Sequence, residues 1–248
     1  MKKLLILTAL VAMTALTGCV QMSNDTVIKS DGSGSMTMSF TMSTEIEDAM
    51  REMKTLDSGM EEDMGEVPLF DDSFDKAEFE KELKQHGAKL ASYSNSVEGG
   101  NRTVTIKIDF SDAAGMQAAG SAFGENGGIG IFRTADGNYL LTVVDEPEAE
   151  EDYEEVEEMP DMEDMGAAMQ NAAKSMEIMG KLMAHMGELK IEMRVTLPSD
   201  VISHNAPLLE GRTCIWKIDS SNMMSAQGMS EPEIVFSGAG VKINAPDQ

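Results

Sequence analysis

"RTVTIKIDFSD", residues 102–112, places Val104, Ile106, Ile108 and Phe110 on alternate positions, with Thr103, Thr105, Lys107 and Asp109 between them. A period of two is the signature of a strand with one face in a core and one in water. The run closes on Ser111-Asp112, residue types that cap a helix N-terminus. Ahead of it, "EGGNRT" (residues 98–103) supplies two glycines for a tight turn. The stretch therefore reads as the second arm of a hairpin that feeds a helix.

The same order of residues returns 110 positions later. "RTCIWKIDSSN", residues 212–222, matches it at Arg, Thr, Lys, Ile, Asp and Ser, with Cys214, Trp216 and Ile218 as the inward set. A hairpin-then-helix unit used twice is the simplest reading. Three further turn signals sit between β-rich runs: "SDGSGS" (30–35), "ADGN" (135–138) and "LEGRT" (209–213). Strands are expected at 26–30 with 35–41, 89–97 with 103–110, 129–134 with 139–144, and 189–197 with 213–219, then 233–236 and 241–243. Helices are expected from Thr44, over 72–85 with Gly87 as the C′ residue, after Asp112, over 165–186, and briefly after Asn222. The fold class is α+β. Antiparallel β-hairpins in hairpin-helix units, with an internal repeat, pack against Met-rich amphipathic helices.

The sequence holds 23 Met against 12 aromatic residues. Met36, Met38, Phe40 and Met42 alternate as strand residues do. Met162, Met165, Met169, Ala172, Met176, Met179, Met183 and Met186 are spaced 3, 4, 3, 4, 3, 4, 3, an unbroken helical stripe. Ile46, Met50, Met53, Met60 and Met64 hold a similar phase around the first helix. Sulfur thus follows secondary-structure period, which points to core. Two other readings stay open. An adaptable apolar surface would use Met165, Met169, Met176, Met179, Met183 and Met186 to hold acyl chains or a partner helix. A Cu(I) or Ag(I) site would need Met36, Met38 and Met42 on an exposed strand, converging on one ion.

Charge narrows the partners. Asp and Glu number 44 against 19 Lys and Arg, a net charge of −25. No basic stripe is available for phosphates, which argues against nucleic acid. Residues 145–164, "DEPEAEEDYEEVEEMPDMED", carry 13 acids and no Lys or Arg, and read as a solvated linker. They lack the loop spacing of an EF-hand. The acidic loop at 59–73 reads the same way.

The first twenty residues, "MKKLLILTALVAMTALTGCV", have the charged-then-apolar layout of an export signal. Leu16-Thr17-Gly18-Cys19 resembles the bacterial lipobox. That resemblance implies cleavage after Gly18, a thioether diacylglycerol on Cys19 and a palmitate-class acyl group on its amine. Several chains anchor stably where one does not. Val20 is not the aspartate tied to inner-membrane retention, so the outer membrane, facing the periplasm, is expected. The expected organisation is a signal peptide (1–18), lipidated start and tether (19–25), first half (26–144), acidic linker (145–164), second half (165–243) and tail (244–248). With Cys19 blocked, Cys214 has no partner for an internal disulfide.

Nothing local announces an enzyme. His86, His185 and His204 are scattered, and HExxH, GxSxG, CxxC, P-loop and GxGxxG patterns do not occur. A hydrolase assembled from distant residues is the third reading of function, behind a binding or structural role and behind soft-metal binding. No cofactor is expected.

The segment "EMRVTLPSDVISHNAPLLEGRTCIWKID" resembles the LppM-like envelope lipoprotein domain through Leu197, Pro198, Asn205, Ala206, Gly211 and Trp216. Ser199 stands where that pattern has Gly. The hairpin soon after Cys19 is similar too. The resemblance implies a membrane-tethered α+β domain with a lipid-facing role and no catalytic residues.

Overall fold

The computed structural model describes residues 20–56, 75–122, 128–144, 165–222 and 231–247 of the 248. The signal segment, Cys19, the two acidic loops and the helix expected after Asn222 lie outside them, as do Met60, Met64 and Met162.

Two sheets form. The larger has seven strands in the order β3 (Ala88–Glu98), β4 (Asn101–Phe110), β2 (Gly34–Ser43), β1 (Val20–Ile28), β7 (Lys190–Thr196), β10 (Thr213–Asp219) and β9 (Leu208–Glu210). The smaller has four, in the order β5 (Ile129–Arg133), β6 (Tyr139–Val143), β11 (Glu233–Phe236) and β8 (Val201–His204). All pairings are antiparallel except β1 with β7. That parallel pair joins strands from the two halves of the chain, and both sheets draw strands from each half.

The four expected strand pairs are present, three of them as hairpins; β8 and β9 intervene between β7 and β10, and the Gly211 turn closes β9 onto β10 instead. The turns obey local chemistry. At the β1–β2 turn the Asp31 carboxylate accepts from the Ser33 N–H at 3.0 Å and from its hydroxyl at 2.7 Å. Gly34 is required by space: a Cβ there would lie 2.0 Å from the Val27 carbonyl oxygen and 2.5 Å from the Phe110 ring.

Four helices are described: α1 (Thr44–Leu56), α2 (Lys76–Gln85), α3 (Ala113–Ser121) and α4 (Met165–His185). Asp75 caps α2 and Asp112 caps α3 through their side chains. Gly87, at φ +77°, follows the C-cap of α2 as expected.

The inward faces of both sheets, with Phe79 and Leu83 of α2 and Met116 and Ala119 of α3, form one continuous core. Val104, Ile106, Ile108 and Phe110 are all buried, as are Cys214 and Trp216. The outward face of the large sheet carries paired hydroxyls, alongside Val27 and Ile215. Ser39 meets Thr105 at 3.2 Å, Thr41 meets Thr103 at 3.0 Å, and Thr196 meets Thr213 at 2.9 Å.

Three expectations are corrected. β1 begins at Val20, not Thr26, so residues 20–25 form strand rather than tether. Gln21, Ser23, Asn24 and Asp25 are poor strand formers, but β2 and β7 flank them and take up their backbone hydrogen bonds. β8 and β9 occupy a segment that reads as loop. Residues 241–243 make no strand; the Lys242 N–H donates to the Ser30 carbonyl at 2.6 Å, and the Ile243 carbonyl accepts the Tyr139 hydroxyl at 3.1 Å.

Candidate functional site

The methionine sulfurs have different surroundings in different elements. On β2, Met36, Met38 and Met42 are 1%, 4% and 8% exposed. Met36 and Met38 face Ile108 and Ile106 of β4 across the ladder and belong to the main core. Three sulfurs sealed on a sheet face do not present themselves to an ion, so the exposed strand that a soft-metal site needs is not there. Among the described residues, no group of three or more His, Cys, Asp or Glu is placed to hold a metal.

Helix α4 is built differently. Its neighbour is α1, not a strand. Ile178 is 1% exposed and forms a small cluster with Ala49 and Met53 of α1, separate from the main core. Lys174 Nζ lies 2.6 Å from Glu52 Oε1, fixing the same side. At about 100° per residue, Met179 lies roughly 100° and Met176 roughly 200° around the helix from Ile178. They therefore face away from α1, and Met176 is 79% and Met179 46% exposed. The core reading of the stripe is corrected at both positions. Met165, Met169, Met183 and Met186 share the stripe by spacing, but their side chains lie outside the described set.

The sequence pattern marked a face and left open which element would cover it. Ile178, one position off the stripe, packs on α1, and the Lys174–Glu52 pair holds the helix in that rotation. A β-branched residue with a charged neighbour was the signal for it. Lys181 Nζ pairs with Glu177 at 3.0 Å. These contacts leave a half-polar helix with two methionines in water.

A buried ion pair ties the α1–α4 pair to the sheet. Glu47, on α1, is 8% exposed. Its Oε2 accepts from Arg102 Nε of β4 at 2.8 Å and its Oε1 from Arg51 at 3.0 Å. Nothing in the sequence pattern flagged Glu47; one carboxylate among 44 acidic residues does not stand out.

The turn after α4, Met186–Glu188, rests against β1, and Lys190 pairs with Gln21. The C-terminal end of α4 therefore sits beside the start of β1. A second set of exposed apolar residues lies on the edge strands: Ile202 at 56% on β8, Leu208 at 43% and Leu209 at 38% on β9.

Other candidate groups have structural places. Cys214 is fully buried, and desolvation pushes its thiol up to about 11, which removes it as a nucleophile near neutral pH. His86 is the C-cap of α2. His204 Nδ1 lies 3.1 Å from the Ala206 carbonyl, and Ser203 beside it on β8 points to the opposite face. His185 is half-buried in the last turn of α4. No helix among the described residues is long and apolar enough to cross a membrane.

No protein-family model matches the chain, and no curated protein matches it. Among solved structures, the NMR structure of the folded domain of LppM from Mycobacterium tuberculosis is similar at a TM-score of 0.41. It shares 13% identity over 89% of this chain and 90% of that one.

Proposed function

We propose that this protein is a lipid-anchored lipoprotein of the bacterial envelope with a non-catalytic binding or structural role. Cys19 carries the lipid, and the outer membrane is its site. The exposed face of α4, with Met176 and Met179 at its described centre, supplies the apolar contact. The observation that carries the reading is the 79% exposure of Met176 on a helix already packed through its other side. An unbranched thioether adapts to irregular apolar partners, whereas Leu or Ile specify one packing.

Catalysis has little to draw on among the described residues. The free thiol is buried, and His204 leans on a backbone carbonyl rather than on a serine.

Two measurements test the reading. The full chain, expressed in a Gram-negative host and digested, should yield an N-terminal peptide starting at Cys19 with three acyl chains; Cys19→Ala should abolish both cleavage and membrane retention. An unmodified Cys19 peptide ends the lipoprotein reading. Native mass spectrometry of the intact protein, with and without added phospholipid, then asks whether an apolar ligand binds. Met176→Glu with Met179→Glu should remove any lipid adduct, and an adduct that survives moves the site elsewhere.

A further inference from the structure

We propose that the occupant of the exposed methionine face is the membrane surface itself: α4 lies on the bilayer beside the lipid anchor, as a second point of contact. The inference rests on lipidation of Cys19 and deepens that reading by naming the partner.

Position is the first argument. β1 begins at Val20, with no tether between it and Cys19. Adjacent Cα atoms are about 3.8 Å apart, so a lipid on Cys19 holds the start of β1 at the interface. The 3-10 turn at Met186–Glu188 rests against that strand. Along the helix axis, Met179 is about 10 Å and Met176 about 15 Å before residue 186 at 1.5 Å per residue. A bilayer that accepts the anchor is therefore within a short reach of both side chains.

Charge is the second. Removing residues 1–18, which hold Lys2 and Lys3, takes the net charge from −25 to −27, and most faces of such a chain repel an anionic leaflet. Among the described helices, α4 is the one in which Lys outnumbers Asp and Glu, with Lys174 and Lys181 against Glu177. Both lysines lie toward the α1 side, paired with Glu52 and Glu177, so the outward methionine face carries no charged side chain of its own. An amphipathic helix of this kind lies in the interface plane rather than across it. The helix, at 21 residues, is not apolar enough to span.

The two-helix unit explains why a contact here is useful. A lipid anchor alone lets the body pivot about Cys19. A second contact on α4, fixed to the sheet through the Glu47–Arg102 pair, sets which faces look away from the membrane. The edge strands β8 and β9, with Ile202, Leu208 and Leu209, are then held in a defined direction.

The test uses the full lipidated chain in phosphatidylcholine vesicles. Met176→Cys and, separately, Ile202→Cys each receive a nitroxide label; Cys214 is fully buried and does not compete for the reagent. At position 176 we expect collisions with membrane-dissolved oxygen to rise and collisions with an aqueous nickel chelate to be lost. Position 202 should show the reverse. Adding Met179→Glu to the first variant should restore nickel collisions at 176 while vesicle retention stays unchanged. Equal aqueous accessibility at 176 and 202, with acylated Cys19 confirmed by peptide mass, overturns the membrane contact and leaves the lipoprotein reading standing. A Cys19 peptide without lipid overturns both.

Discussion

Strand β2 and helix α4 are both methionine-rich and periodic, yet one buries its sulfurs and the other displays them. On β2 the alternation is tied to a ladder. β1 lies on one side and β4 on the other, so a one-residue slip would expose the whole apolar set, and the pairing fixes which face goes inward. On α4 nothing equivalent fixes the face. A helix satisfies its own backbone and can rotate until side chains choose, and here Ile178 and Lys174 choose against the stripe. Periodicity identifies a face in both cases; only in the sheet does it also identify the side that is covered.

The sharpest way to break this contrast is to cut the same side chain in both places. Met36→Ala should destabilise the protein by about 3 kcal/mol, from lost burial plus a residual cavity. Met176→Ala should stay within about 0.5 kcal/mol, as a surface change. Trp216, the chain's one tryptophan and 3% exposed, reports unfolding in denaturant. Equal effects at the two positions would remove the distinction between the two faces.

Thiol chemistry sharpens the same comparison. Cys214 faces Val195 across the β7–β10 ladder, and desolvation raises its pKa from 9.0 to about 11. Its thiolate fraction near neutral pH should be lower by roughly a hundredfold than that of an ordinary thiol. A disulfide reagent should therefore label a cysteine placed at 176 at once and Cys214 only after unfolding. Rapid labelling of native Cys214 would mean that the sheet face opens.

The junction between the two regions comes next. Glu47→Ala would leave Arg102, whose side chain is 19% exposed, without its carboxylate. A fully buried pair broken on one side costs several kcal/mol; partial exposure of the arginine should bring this to about 2 kcal/mol. Amide exchange should quicken first in α1 and α4 and last in β2 and β4. Uniform acceleration through the sheet would show that the two helices are not a separable unit.

What the sequence made legible follows from the same distinction. Three hairpins could be read because Asp-Gly, Gly-Gly and Gly-Asn turns are local chemistry, and the strands beside them alternate; the β7–β10 pair was legible too, but the strand that the Gly211 turn joins to β10 is β9. Helix α3 could be read because Asp112 caps it. β8 and β9 could not, since four- and three-residue strands among Asn, Pro and Ser exist only through their partners β11 and β10. The early start of β1 was hidden for the same reason. Of the candidate site, the stripe was visible and its direction was not, because that direction rests on Ile178 meeting Ala49 and Met53, which are some 125 positions away in the chain.

The smallest expected effect lies in the ion pair that sets that direction. Glu52 is held below the ordinary carboxylate value of 4.5, chiefly by its hydrogen bond to Lys174 and then by that lysine's charge. A depressed folded-state pKa contributes stability above the unfolded value and loses it as pH falls through the folded one. The pair is open to solvent, so the contribution is modest. Asp31, Asp136 and Asp219 are lowered too, mainly by hydroxyls of Ser33, Thr134 and Ser221, but they act at sheet turns. The test must therefore be local. Amide exchange of α4, corrected for intrinsic rates, should quicken as pH drops below about 4.5 in the native protein. In Glu52→Gln it should already be faster at neutral pH and change less with acid. If α4 responds identically in both proteins, Lys174 does not set the rotation of the helix, and Ile178 alone turns the methionines outward.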